Sequence, residues 1–234
     1  MGVFLGVKIS QMRTVVIIDY QNLHLVGAGL FEPFKQRHEC LVHPLKYAEQ
    51  LLLTRNHRLD NGERSATLSK VLVYRGLPSS EHDPKLYARN QAQKSEWERD
   101  RKVKVTLRPL KYQYERVASG EKAIDEKGVP IVLSRSEKGI DVLCALAIVR
   151  EAQNSEIDLV ILASQDTDLE PALDEALLLG TAKIETSSWH IPHRYRSKEI
   201  RPTYPQKIRN TKMDKNTFLR TLDSRDYDMP LTRY

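Results

Sequence analysis

Four aspartates, Asp19, Asp141, Asp166 and Asp168, are the residues of this 234-residue chain best suited to chemistry. Asp166 and Asp168 follow the unbroken apolar run Leu159 to Ala163, and Asp19 ends the β-branched run that begins at Arg13. Such runs are the pattern of strands covered on both faces. The acids therefore stand where buried strands end, and in open α/β sheets ligands bind outside the carboxyl ends of the strands. Asp141 falls in the first turn of a later helix, where the helix dipole favours a carboxylate even without a further role. Asp166 or Asp168 taken alone is explained by capping the helix that follows. Gathered in one cleft they repel one another, and the ordinary remedies are raised pKa values or a bound hard divalent cation. Mg²⁺ or Mn²⁺ is the natural counter-charge. Such an ion can activate a water as nucleophile and neutralise charge building on a phosphodiester, and two ions about 4 Å apart can do both. That chemistry requires neither a Ser-His-Asp triad nor a cysteine nucleophile, and neither pattern is recognisable in the sequence.

The elements that must position these acids alternate between strand and helix. Strands are predicted at Arg13 to Tyr20, Lys70 to Arg75, Val103 to Leu107, Leu159 to Ala163 and Ala182 to Thr186. Helices are predicted at His43 to Thr54, Pro84 to about Arg101, from Ser136 or Lys138-Gly139 through Val149, and Leu169 to Leu179, where Pro171 suits the first turn and Gly180 the stop. In the second of these helices Leu86, Ala88, Ala92 and Trp97 are the expected inward positions; in the third they are Val142, Leu143, Ala145, Leu146 and Val149. Gln21 to Leu30 reads as a loop or short helix, and Lys111 to Arg135 as a hairpin insertion around Ile131 to Leu133. Alternation of this kind implies an α/β fold with a mainly parallel sheet and helices on both faces.

Bulk properties narrow the class. Hydrophobic content of 40% and charged content of 29% describe a globular chain, and no apolar stretch approaches the ~18 residues of a membrane span. The opening residues are too short and too weakly apolar for a secretory signal, so a cytoplasmic protein is expected, with residues 1–12 as an extension. Cys40 and Cys144 are far apart in sequence and read as reduced core thiols. Residues 1–189 hold 26 basic and 26 acidic side chains, whereas residues 190–234 hold 11 and 5, so the net +6 belongs to the C-terminal segment. That segment, with Tyr195, Tyr204, Tyr227 and Tyr234, reads as a basic tail suited to phosphate contact and stacking, or as a solvated extension. A second basic stretch, Arg101 to Arg116, carries six basic residues against Glu115; it lines a nucleic-acid path or is the exposed face of an edge strand.

Three blocks in order, IIDYQN (Ile17 to Asn22), KGID (Lys138 to Asp141) and SQDTDL (Ser164 to Leu169), resemble the signature blocks of NYN domains, a branch of the PIN-like metal-dependent ribonucleases. The resemblance covers residues 13–187 and leaves 188–234 as the tail. It implies a PIN-like three-layer α/β/α sandwich, an endoribonuclease acting on RNA, single-stranded RNA in particular, and a Mg²⁺ or Mn²⁺ site formed by Asp19, Asp141, Asp166 and Asp168. Asn22 maps to a substrate or supporting contact, and Lys138 to a position where it can touch a substrate phosphate. Ser164 and Thr167 can orient a water on the metal or cap the helix. Gln165 departs from the small residue usual between the Ser and Asp of the third block. A PIN-like RNA-binding or regulatory adaptor without turnover is the alternative reading, and a homodimer is compatible with either.

Overall fold

The computed structural model describes residues 11–60, 62–192, 199–203 and 205–227. Six parallel strands form the central sheet: β1 (Met12–Asp19), β2 (Ala66–Leu77), β3 (Val103–Pro109), β6 (Leu159–Ala163), β7 (Lys183–Trp189) and β8 (Arg209–Met213), in the order β3-β2-β1-β6-β7-β8. An antiparallel pair, β4 (Lys111–Tyr114) and β5 (Val132–Ser136), forms a separate arm between β3 and the next helix. The helices are α1 (Tyr20–Phe31), α2 (Pro44–Asn56), α3 (Pro84–Trp97), α4 (Ile140–Ala152), α5 (Glu170–Leu179) and α6 (Lys215–Thr221). The architecture is the three-layer α/β/α sandwich with a parallel sheet.

The strand alternation divides the core between two faces. Val16 and Ile18 of β1, with Leu159, Ile161 and Ala163 of β6, join a cluster with Leu51, Trp97, Trp189 and Phe218. Val15, Ile17, Val160 and Leu162 point the other way, against Cys144, Ile148, Leu173 and Ala176 of α4 and α5. Both faces of the central strands are therefore dry, which is why their sequence reads as continuous apolar runs. The chain moves outward from β1 to β3, then returns through α4 to lay β6 on the opposite side of β1. Right-handed crossovers in the two directions put α4 and α5 on the second face. Adjacent strands that leave in opposite directions open a crevice at their carboxyl ends, here between β1 and β6.

Several local expectations are corrected. The segment 190–234 is not simply a tail: residues 209–213 add the sixth strand beside β7, and Asp214 caps α6 by accepting from the Thr217 N–H at 2.8 Å. Its polar sequence conceals this because, among its described residues, Ile200, Met213 and Phe218 are the buried apolar side chains. Tyr195, Tyr204 and Tyr234 lie outside the described residues. Residues 20–31 form a full helix despite two glycines, because Gly27 lets Trp189 and Phe218 pack directly on its backbone; a Cβ there would sit 2.7 Å from Trp189 Nε1. In α3 the buried positions are Asn90, Gln93 and Trp97 rather than Leu86, Ala88 and Ala92. Gln93 accepts a hydrogen bond from Arg75, a polar tie that an apolar count cannot register. In α4 the buried face is Ile140, Cys144, Ala147, Ile148 and Ala152, leaving Val142 and Leu146 58% and 59% exposed. Cys40 and Cys144 are free and buried. Among the described residues no helix is long and apolar enough to cross a membrane.

Candidate metal centre

Strand register brings the first and third motifs together. Ile18 of β1 pairs with Ala163 of β6, so the next residues of each strand, Asp19 and Ser164, emerge side by side. The Ser164 hydroxyl donates to Asp19 Oδ2 at 2.9 Å and accepts from the Asp166 N–H at 3.1 Å. Asn22 adds a second clasp, its Oδ1 accepting from the Gln165 N–H at 2.8 Å. The second motif arrives from above. Gly139 takes a left-handed turn (φ 76°), Ile140 anchors the start of α4 in the core, and Asp141 follows in its first turn.

Asp19, Asp141 and Asp166 consequently offer one carboxylate oxygen each, all within 4.8 Å of one another. Asp19 is buried, Asp166 half-buried and Asp141 exposed, so the cluster is a funnel with its deepest ligand at the floor. Burial pushes the Asp19 carboxyl up to about 7, helped by the charges of Asp141 and Glu137 and opposed by the hydrogen bonds from Ser164 and Asn22. Asp141 is also raised, by partial burial first and then by Asp166 and Asp168. Two helix starts aim their N–H groups into the crevice. Asp19 caps α1 through the Asn22 N–H at 3.4 Å, and Asp166 accepts from the Asp168 N–H at 3.1 Å. Those partial positive charges offset part of the repulsion. Asp19 and Asp166 thus cap and cluster at once, whereas Asp141 joins the cluster from the first turn of α4.

Asp168 lies outside the group of three, exposed and close enough to raise Asp141. Lys138 and Thr167 are exposed at the rim. Ser164, only 1% exposed and engaged on both sides, holds the acids rather than facing a substrate. The carbonyl end of the Asn22 amide is likewise committed to the Gln165 backbone. Gln165 itself reaches across to accept from the Trp189 N–H at 3.1 Å, tying the motif loop to the end of β7.

Sequence reasoning passed over Glu137 and Arg75. Glu137 accepts from the Gly76 N–H at 2.6 Å, and the Gln21 amide nitrogen lies 2.7 Å from it in the orientation that satisfies both groups. Burial raises its carboxyl, while the Gly76 hydrogen bond and Arg75 lower it. Arg75 stacks over Tyr20 at 4.7 Å. The signal for Glu137 was its place four residues before Asp141, masked by the polar insertion that precedes it.

Three carboxylates on separate segments, one of them buried and raised, could together hold a hard divalent cation. Oxygen-only ligands fit Mg²⁺ or Mn²⁺ and disfavour softer ions. No family model matches the chain, and no curated protein matches it. A solved structure of a protein of unknown function from Vibrio parahaemolyticus is similar over 87% of this chain and 94% of that one, with 15% identity and a TM-score of 0.47.

Proposed function

We propose that this protein is a Mg²⁺- or Mn²⁺-dependent endoribonuclease of the PIN-like, NYN type, acting on single-stranded RNA in the cytoplasm. The observation that carries the reading is the meeting of Asp19, Asp141 and Asp166 within 4.8 Å at the crevice between β1 and β6. Asp19, Asp141 and Asp166 would hold the ion, with Asp168 beside them at the rim. When bound, the ion supplies counter-charge to the acids, activates water and neutralises charge on a phosphodiester in flight.

The chain's own contribution is positioning. Ser164 keeps Asp19 and Asp166 in register, and Asn22 locks the two strand exits together. Ser164 and the Asn22 N–H also favour the ionised form of Asp19, the form able to ligate a cation. Lys138 and Thr167, exposed at the rim, take the substrate-facing roles. Manganese-dependent cleavage of single-stranded RNA should appear with the intact chain and fall at least a hundredfold in Asp19→Asn and Asp166→Asn. Equal cleavage by all three overturns the reading, and RNA binding without cleavage by any of them favours the adaptor.

A further inference from the structure

The second face of the sheet is covered unevenly. α4 packs over β1, β2 and β6, and α5 packs over β7. Along the edge strand β3, Val103 and Val105 are buried on the first face, whereas Lys104 and Arg108 are exposed on the second and Thr106 is half-buried between them. A groove of roughly 530 Å³ lies here, floored by Leu72 and Tyr74 of β2 with Lys104 and Thr106 of β3. Leu143, Leu146 and Arg150 of α4 form its wall.

The groove is basic and its cations are largely uncommitted. Its one acid, Glu151, is held by Lys70 at 2.7 Å and by Arg150 at 3.3 Å. Arg101, Lys102 and Lys104 make no ion pair among the described residues. One end of the strip reaches the turn that leads into Asp141. Arg108 Nε donates to the Lys138 carbonyl at 2.6 Å, and the Arg108 guanidinium lies 3.2 Å from where a Cβ on Gly139 would stand, two residues before Asp141. From Arg108 back to Lys102 the strip is about 20 Å long at the rise of a strand.

We infer that this strip is the track along which single-stranded RNA reaches the acid cluster, its phosphates lying on Arg108, Lys104 and Lys102 and its bases against Leu143 and Leu146. The inference rests on the ribonuclease reading of the site and adds the course of the substrate. Charge selects this occupant. A polyanion gains counterion release on a row of unpaired lysines, whereas a second copy of the chain would bring the same cations to the same edge.

The test is binding of a fluorescent oligouridylate to the full chain in EDTA, where affinity is read without cleavage. Lys102→Glu/Lys104→Glu is compared with Arg220→Glu, a control on α6 at the other face. Both sites are exposed, so folding is not at risk. The track variant should lose roughly tenfold or more in affinity, and Lys102→Gln/Lys104→Gln should flatten the salt dependence by about 0.7 per lost phosphate contact. In the manganese-dependent assay the track variants should raise KM and leave kcat unchanged, with metal-induced thermal stabilisation intact. If the wild type binds RNA but never cleaves, a track-variant loss still upholds the strip while the nuclease reading fails. Unchanged affinity in the track variants overturns the strip whether or not the chain cleaves, and so does their self-association with RNA binding intact, which would make the lysines guards of the sheet edge.

Discussion

Ser164 and Asp19 stand 145 residues apart in the chain and 2.9 Å apart in the fold, and the hydroxyl of one opposes the burial that raises the carboxyl of the other. The same oxygen accepts from the Asp166 N–H, so a single hydroxyl sets the spacing of two of the three clustered acids.

Ser164→Ala should therefore lower stability by about 1–2 kcal/mol, the usual cost of leaving a buried acceptor short of a partner. The loss should be larger at pH 8 than at pH 5, because the hydrogen bond favours the ionised form of Asp19. Urea denaturation at the two pH values measures it. An equal loss at both would mean that Ser164 acts only through packing.

Asp19 makes the metal-free chain sensitive to pH. Unfolded, its carboxyl gives up its proton near 3.8; folded, it keeps it to about 7. Between those values the folded chain binds more protons, so stability falls as pH rises through the interval, by on the order of 4 kcal/mol in total. In EDTA, Asp19→Asn should remove most of this slope and be the more stable protein at pH 8. Mn²⁺ should raise the Tm of the wild type more at pH 8 than at pH 6 and leave the Tm of Asp19→Asn nearly unchanged.

Gln165 spans from the acid loop to the Trp189 N–H. Replacing it with the small residue of the resembling motif, as Gln165→Gly, should cost about 1–2 kcal/mol from the lost hydrogen bond and the freed backbone. Metal-dependent stabilisation should persist, since no ligand oxygen is removed. Its disappearance would show that the Gln165 bridge holds the cluster itself.

Gly27→Ala runs against helix propensity. Alanine in a helix interior normally gains about 1 kcal/mol over glycine, but here the added methyl would lie 2.7 Å from Trp189 Nε1 and 2.9 Å from Phe218. It would push the indole away from the Leu23 carbonyl, to which Nε1 now donates at 2.8 Å. A net loss of about 1–3 kcal/mol is expected, in line with other overpacked cores. Chemical denaturation gives the sign directly.

The sequence by itself determined the alternation of strands and helices, the buried strands on either side of the crevice, and four acids at strand or helix ends, because each is a local statement. A run such as Leu159 to Ala163 is dry on both faces wherever it lies, and a strand end carrying an acid is visible without its neighbours. Only the tertiary structure decided that Ile18 lies opposite Ala163, which sets Asp19 beside Ser164, and that α4 begins where Asp141 completes the group. It also decided that Asp168 stays outside the group, that Glu137 leans on it from an insertion, and that residues 209–221 extend the sheet. Those outcomes depend on register and on which helix face turns inward. Both are set by pairings between segments distant in the chain, 145 residues apart for Asp19 and Ser164 and 61 for Gly76 and Glu137, and a local pattern carries no record of its partner.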